Sequence, residues 1–318
     1  MACNHRCTFC ALDFMQYKPR FLDAGLLKTR LAELGRLGLK SVMFAGEGEP
    51  FLHRDMAGIA EQAKASGIDV AFTTNGVLLK PAISERVLGV TEWIKVSCNA
   101  ARPETYAKIH GTSPDDLTRV FDNLAAAAAI RRREGYRCTL GMQILLLPEN
   151  EAEVPELARR ARDAGLDYLV VKPYSQHPQS LTEVYKGIRY QSASELAEEL
   201  AALRTPSFTP VVRLQTITKW NERERPYRRC QALPFWSYLD AGGNVWGCSM
   251  FLGDERFRYG NIAEQSFEAI WTGAKRRDSL AWFDSEFDPA GCRINCRLDE
   301  INRYLWELKN PPLHVNFI

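Results

Sequence analysis

Apolar positions in the first 176 residues alternate between helical spacing and short continuous runs. Leu26 to Leu37 repeats at helical spacing and stops at Gly38, and Ser41 to Ala45 follows as a buried strand. The same couplet recurs. Helical spacing over 55–65 leads into a strand over 69–73, and 81–88 into 93–97. The alanine-rich stretch 114–133 leads into 138–147, and 151–164 into 168–171. Val, Ile, Leu and Phe run almost unbroken through these strands, the mark of a parallel sheet covered by helices. Period alone does not separate an open sheet from a barrel.

Past Pro173 the rhythm breaks. Residues 177–191 are polar and loop-like, 194–203 form one more helix, and the chain is irregular from about 206. Trp236 to Leu239 and Val245 to Gly247 read as short strands joined by the turn 240–244, with helices over 266–282 and 298–308. The boundary is placed near 205, giving an α/β unit over 1–205 and a smaller α+β unit over 206–318.

Composition narrows the function classes. The chain has 318 residues, 46% apolar and 25% charged, as in ordinary globular proteins. Its longest apolar stretch, Leu124 to Ile130, falls short of the ~20 residues of a membrane span. Forty-one basic against 39 acidic side chains leave +2, and the basic clusters 131–133 and 275–277 are short, so neither membrane nor nucleic acid is an expected partner. No basic-then-apolar leader is visible, and a cytoplasmic location is expected.

Nine cysteines change the picture, because in a reducing compartment clustered thiols bind metal or do redox chemistry. Cys3, Cys7 and Cys10 lie within eight residues, and Cys230, Cys248, Cys292 and Cys296 lie in the last third. Three soft ligands in one loop suit zinc completed by His5, or a [4Fe–4S] cube with one iron left open. The CxxxCxxC spacing with Phe9 before the last cysteine resembles the signature of the radical S-adenosylmethionine (SAM) superfamily. Gly46-Glu47-Gly48-Glu49-Pro50 is similar to that family's GGEP segment, with Glu47 in place of the second glycine, and Thr73-Thr74-Asn75-Gly76 to its TNG turn.

The resemblance covers residues 1 to about 205. It implies a partial (β/α)6 TIM-like barrel, and motifs at strand C-terminal ends share one face of such a barrel. It also implies that the open iron chelates SAM and that reductive cleavage yields a 5′-deoxyadenosyl radical. By that likeness Gly46, Glu47, Gly48, Glu49 and Pro50 receive the SAM ammonium. Phe9 lies near the adenine, and Thr74, Asn75, Ser97, Asn99, Asn150 and Lys172 are further SAM contacts. The family's first strand precedes its cysteine loop, whereas Cys3 is the third residue here, so that strand is expected to lie outside the numbered chain or to be replaced.

Four thiolates saturate either a tetrahedral zinc or a complete cube. Cysteines around a hairpin, followed by a helix and a close pair, are similar to the Twitch form of the SPASM extension of radical SAM enzymes. The likeness implies one auxiliary [4Fe–4S] cluster, hence two clusters in all, with structural zinc as the alternative. A saturated cluster has no iron open to substrate, so its expected role is to accept an electron.

The expected activity is oxidation of a small polar metabolite such as a sugar, aminocyclitol or nucleotide sugar, with flavodoxin or ferredoxin as electron donor. One alternative is epimerisation, with Cys98 returning a hydrogen atom. A peptide-modifying activity is the other, and it is lowered because no peptide-recognition domain precedes Cys3 in the numbered chain. His177, after the last strand of the repeat, is the candidate base, with Tyr174, Ser175 and Gln176 beside it.

Overall fold

The computed structural model describes residues 1–317. By compactness the chain divides into Met1–Thr218 and a second unit that begins at Lys219.

The first unit carries six parallel strands in sequential order: β1 (Ser41–Phe44), β2 (Asp69–Thr74), β3 (Trp93–Ser97), β4 (Thr139–Leu146), β5 (Tyr168–Pro173) and β6 (Thr209–Val212). The first five are the expected ones. β6 lies in the stretch read as irregular and carries the first unit past the expected boundary at 205. Pro210 hid it, because proline argues against a strand unless its missing N–H faces a sheet edge. Here the N–H groups of Thr209 and Arg213 meet the carbonyls of Asp167 and Val171, so Pro210 falls on the outward side of an edge strand.

Helices α1 (Ala24–Arg36), α2 (Met56–Ala65), α3 (Pro81–Val87), α4 (Pro103–His110), α5 (Asp115–Glu134), α6 (Val154–Asp163), α7 (Ala193–Ala201) and α8 (Leu214–Glu222) complete the repeat. Local chemistry sets their ends. Asp23 caps α1 by accepting from the Leu26 N–H at 2.7 Å, and Leu27, Leu31 and Leu34 bury its inner stripe. In α5, Asp115 and Asp116 sit in the first turn and Arg131 to Arg133 in the last, complementing the helix dipole.

Strand register sorts the side chains by face, because paired residues of a parallel sheet point the same way. Phe72, Ile94, Leu140, Val96, Met142 and Leu169 form the fully buried face. The opposite face carries Thr73, Lys95, Ser97, Gln143 and Lys172, all half-buried. Its lower end is filled, since a Cβ on Gly141 would meet the Tyr168 ring at 2.0 Å.

The second unit holds the antiparallel sheet β7 (Tyr238–Leu239), β8 (Asn244–Trp246) and β9 (Arg258–Asn261), with α9 (Phe267–Thr272), α10 (Ala274–Glu286) and α11 (Asp299–Lys309). The expected hairpin is present. Asp240 organises its turn by accepting from Gly242 and Asn244 N–H and from Trp246 Nε1 at 2.8–2.9 Å. The single helix expected over 266–282 is two, broken at Gly273, whose backbone is extended.

Candidate functional site

The cysteine loop is seated on the C-terminal end of α4. Arg6 N–H donates to the His110 carbonyl at 3.0 Å and Thr8 N–H to the Ile109 carbonyl at 2.9 Å, so the loop satisfies carbonyls that a helix end leaves without partners. Gly111 permits the approach. Its φ is +57°, and a Cβ there would stand 2.3 Å from the Arg6 oxygen. On its far side the loop is tied down by Asp13, which accepts from Leu181 N–H, Thr182 N–H and Ser180 Oγ at 2.8–3.1 Å.

The approach to the loop is held by the Gly46–Pro50 segment. Glu49 N–H donates to the Ala2 carbonyl at 2.8 Å, beside the C-terminal end of β1. Gly48 has φ +97°, and a Cβ would fall 2.0 Å from the same oxygen. Gly48→Ala therefore combines a left-handed alanine with a backbone collision. It is expected to destabilise the first unit by about 2–3 kcal/mol and to lower the iron bound by the cysteine loop. Thermal unfolding and iron analysis of the purified variant check both.

Donor spacing separates the two metal readings. A single zinc with sulfur at ~2.3 Å needs thiolates about 3.8 Å apart. Among the described residues, His5, Cys7 and His110 are the one group of three donors whose ligand atoms all lie within 4.8 Å of one another; neither cysteine set meets that limit. The thiols of each set still share an electrostatic environment. The Cys7 thiol is pushed well up by burial and then by Cys3 and Cys10, and Cys248 by burial, with Cys296, Cys292 and Cys230 adding to it. Three or four thiols grouped in this way suit an iron–sulfur cluster by their number and softness. His5 Nε2 lies 3.2 Å from Asp116 Oδ2, and its buried Nδ1 has no partner among the described residues.

Glu49 joins the two turns expected to meet SAM. Its carboxylate is buried and accepts from Thr74 Oγ1 at 2.7 Å, Asn75 N–H at 2.7 Å and Phe51 N–H at 3.1 Å. Burial raises it to about 6 despite those bonds, so near neutral pH it is the anion they require. Asn75 Nδ2 in turn donates to Asn4 Oδ1 at 2.7 Å, linking this turn to the cysteine loop. Gly46 takes φ +100° at the end of β1. Ser97 and Lys172 lie on the open face of the sheet. Phe9 stands edge-on to His110 and packs against the buried group of Ile109, Leu147, Tyr174 and Tyr185.

Four expected residues are buried in the protein's own contacts. Asn99 is buried, with Oδ1 accepting from Leu145 N–H at 2.7 Å. Asn150 is fully buried; both its N–H groups go to carbonyls, of Asn99 and Leu145, and its oxygen accepts from Leu147 N–H. These amides lock the ends of β3 and β4 together. Cys98 continues the buried face beyond Val96, with its thiol 3.4 Å from the Ala100 carbonyl and its pKa pushed up to about 12 by burial. His177 is buried rather than solvated, stacked on Phe14 at 5.2 Å with Nδ1 accepting from Gln179 N–H.

In the second unit Cys230, Cys248, Cys292 and Cys296 border one cavity with Leu233, Met250, Phe283 and Asn302. Burial lifts Cys292 to about 12. Donors point at the sulfurs: Asn302 Nδ2 to Cys230 at 3.3 Å, Leu298 N–H to Cys296 at 3.4 Å and Met250 N–H to Cys248 at 3.5 Å. Asn302 is oriented by its oxygen, which accepts from Ala232 N–H at 2.9 Å. Arg225 gathers the segment leading into and past Cys292 through the carbonyls of Pro289, Cys292 and Arg293. Asn302→Leu leaves the buried Ala232 N–H without an acceptor and is expected to cost about 1–3 kcal/mol, read as a lowered unfolding temperature of the second unit.

Sequence reading did not single out His110, Tyr106, Glu153 or Asn302. The signal for the first two was present: Pro103 with Glu104 opens a helix and Gly111 closes it.

Comparison with known proteins agrees with this geometry. Residues 1–161 match the radical SAM superfamily, and residues 230–297 match the SPASM iron–sulfur cluster-binding domain. Among curated relatives, GTP 3′,8-cyclase of Chlorobaculum tepidum is 27% identical over 206 residues, covering 63% of this chain and 58% of its own length. The enzyme of that name from Stenotrophomonas maltophilia is 32% identical over 178 residues, covering 55% and 50%. The chain thus spans between half and three-fifths of the length of these relatives. Among solved structures, Streptococcus suis SuiB bound to S-adenosylmethionine superposes with TM-score 0.65 at 19% identity, covering 95% of this chain and 69% of that one. Native anSMEcpe with bound AdoMet gives 0.55 at 15% identity, covering 97% and 92%. No helix among the described residues is long and apolar enough to cross a membrane.

Proposed function

The chain belongs to the radical SAM superfamily, with SAM and iron–sulfur clusters as its cofactors, and from that premise we propose that it oxidises a small polar metabolite at a C–H bond. The observation that carries the reading is the second cysteine set: four thiols around one cavity suit a saturated cluster, an electron acceptor with no iron open to substrate. When bound, the cofactors supply reductive cleavage of SAM to an adenosyl radical and an outlet for the electron left after hydrogen abstraction. In this reading Cys3, Cys7 and Cys10 hold the first cluster and Cys230, Cys248, Cys292 and Cys296 the second.

The remaining work falls to the chain. The turn at Gly46–Pro50 presents strand-end carbonyls to the SAM ammonium, and Glu49 keeps that turn against Thr74 and Asn75. Asn99 and Asn150 fix the neighbouring strand ends. Thr73, Ser97, Gln143 and Lys172 give the open face hydroxyl, amide and ammonium groups suited to a sugar, an aminocyclitol or, with Lys172 toward a phosphate, a nucleotide sugar. His177 is retained as the base that takes the substrate proton. Cys98, on the buried face, supports oxidation over an epimerisation in which that thiol returns hydrogen. A flavodoxin- or ferredoxin-type donor supplies the electron, and a cytoplasmic setting suits free thiols.

The test supplies SAM, reductant and a panel of sugars, aminocyclitols and nucleotide sugars to the intact protein and to Cys292→Ala/Cys296→Ala. The intact protein is expected to release a product lighter by a pair of hydrogens together with 5′-deoxyadenosine, and the variant to form 5′-deoxyadenosine with little product. A product of unchanged mass carrying solvent deuterium would overturn oxidation in favour of epimerisation. Turnover of a peptide alone would overturn the substrate class.

A further inference from the structure

His110 is absorbed by none of the roles above, yet its side chain reaches Cys7 from outside the cysteine loop. Its ring is fully buried and stacked on Tyr106, with centroids 4.1 Å apart and planes 20° apart. Phe9 and His5 close its edges at 5.7 and 5.4 Å. Two contacts fix the tautomer. Nε2 lies 3.0 Å from the backbone N–H of Asn99, which can only donate, so Nε2 carries the lone pair. The ring proton is therefore on Nδ1, and Nδ1 lies 3.5 Å from Cys7 Sγ. A second ring proton would oppose the Asn99 N–H inside a site from which water is excluded.

We propose that His110 is a positioning residue for electron entry: a neutral imidazole whose Nδ1–H donates to the Cys7 sulfur and so raises the reduction potential of the cluster held by Cys3, Cys7 and Cys10. The inference rests on the assignment of Cys7 as a cluster ligand. Its physics is direct. One electron from an external reductant of the flavodoxin class takes the cluster from its 2+ to its 1+ state, with no bond made or broken. The added negative charge spreads onto the sulfurs, and a donor aimed at one of them stabilises the reduced form more than the oxidised form. Asn99 links this bond to the sheet, since the N–H that sets the tautomer belongs to the second residue past the end of β3. Tyr106, one turn earlier on α4, holds the ring plane.

Three substitutions separate this role from a merely structural one. His110→Leu removes both ring contacts. His110→Asn places an amide N–H where Nδ1 stands and gives up the acceptor for Asn99. His110→Gln carries an oxygen toward Asn99 N–H and gives up the donor to Cys7. The measurement is an EPR-monitored redox titration of the anaerobically reconstituted full chain. The first cluster is followed through the signal that shifts on addition of SAM, because only a cube with an open iron responds in that way. The Leu and Gln variants are expected to lower the reduced fraction at a given potential by about tenfold, which is about 59 mV for one electron, while Asn stays near the wild type. If Leu retains too little iron to titrate, the Asn and Gln pair decides. Potentials unchanged in Gln and Leu overturn the proposal, as does recovery by Gln in place of Asn, which would assign His110 to strand ordering through Asn99. A wild-type protein whose reduced signal ignores SAM overturns the cluster assignment and the proposal together, whereas the other outcomes leave that assignment standing.

Discussion

Replacing Cys3, Cys7 and Cys10 by alanine is expected to halve the iron of the reconstituted protein, from about eight to about four atoms per chain, and to abolish formation of 5′-deoxyadenosine. The loop that carries the three thiols should stay in place. Its backbone is held by Arg6 and Thr8 N–H on the end of α4 and by Asp13 against residues 180–182, and none of these contacts uses a sulfur. The variant is therefore expected to keep its circular dichroism and to lose only metal and SAM cleavage. The remaining iron should follow the second cysteine set, and Cys230→Ala in the same background should remove it. Iron and sulfide analysis with chromatography of the SAM products reads every arm. A triple variant that retains its full iron would place the first cluster elsewhere.

Glu153→Ala is expected to destabilise the first unit strongly although the side chain is polar. Glu153 is buried, and its carboxylate accepts from Ala101 N–H at 2.8 Å, Arg102 N–H at 3.1 Å and Thr105 Oγ1 at 2.5 Å. It therefore satisfies the donors at the start of α4, the helix whose other end carries the cysteine loop. Removing it orphans all three groups and takes away the buried anion at the start of α4, leaving only the exposed Glu104 in the first turn, a cost of about 3 kcal/mol. The unfolding transition of the first unit should fall by about 6–12 °C. Because α4 spans from Glu153 to the loop, iron retention at the first cluster should fall with it. Glu153→Gln keeps one acceptor and should lie between. An unchanged transition in the alanine variant would show that α4 is held by its packing alone.

Much of this arrangement is legible in the sequence because its strongest signals are periodic or chemical. The five strands from β1 to β5 are near-continuous apolar runs, and the two cysteine sets stand out by spacing. What is not legible depends on contacts between segments far apart in the chain. Pro210 conceals β6 until the sheet shows which way its missing N–H points. The helix over 103–110 is short and carries few apolar residues, so its proline and glycine punctuation passes for a loop. With it went His110, whose meaning comes from Cys7, 103 residues away, and from Asn99. At a strand end, Cys98 can either face the cavity or pack as a small apolar group, and strand alternation from Val96 turns it to the buried face. The strand-end amides Asn99 and Asn150 are found by motif, but their hydrogen-bonding groups are consumed within the protein, which only the fold reveals.

The most direct test of the account is metal and sulfide analysis of the intact chain after anaerobic reconstitution, followed by incubation with SAM and dithionite. The account predicts about eight iron and eight sulfide per chain, with 5′-deoxyadenosine released. Zinc bound without sulfide, and SAM recovered intact, would contradict it.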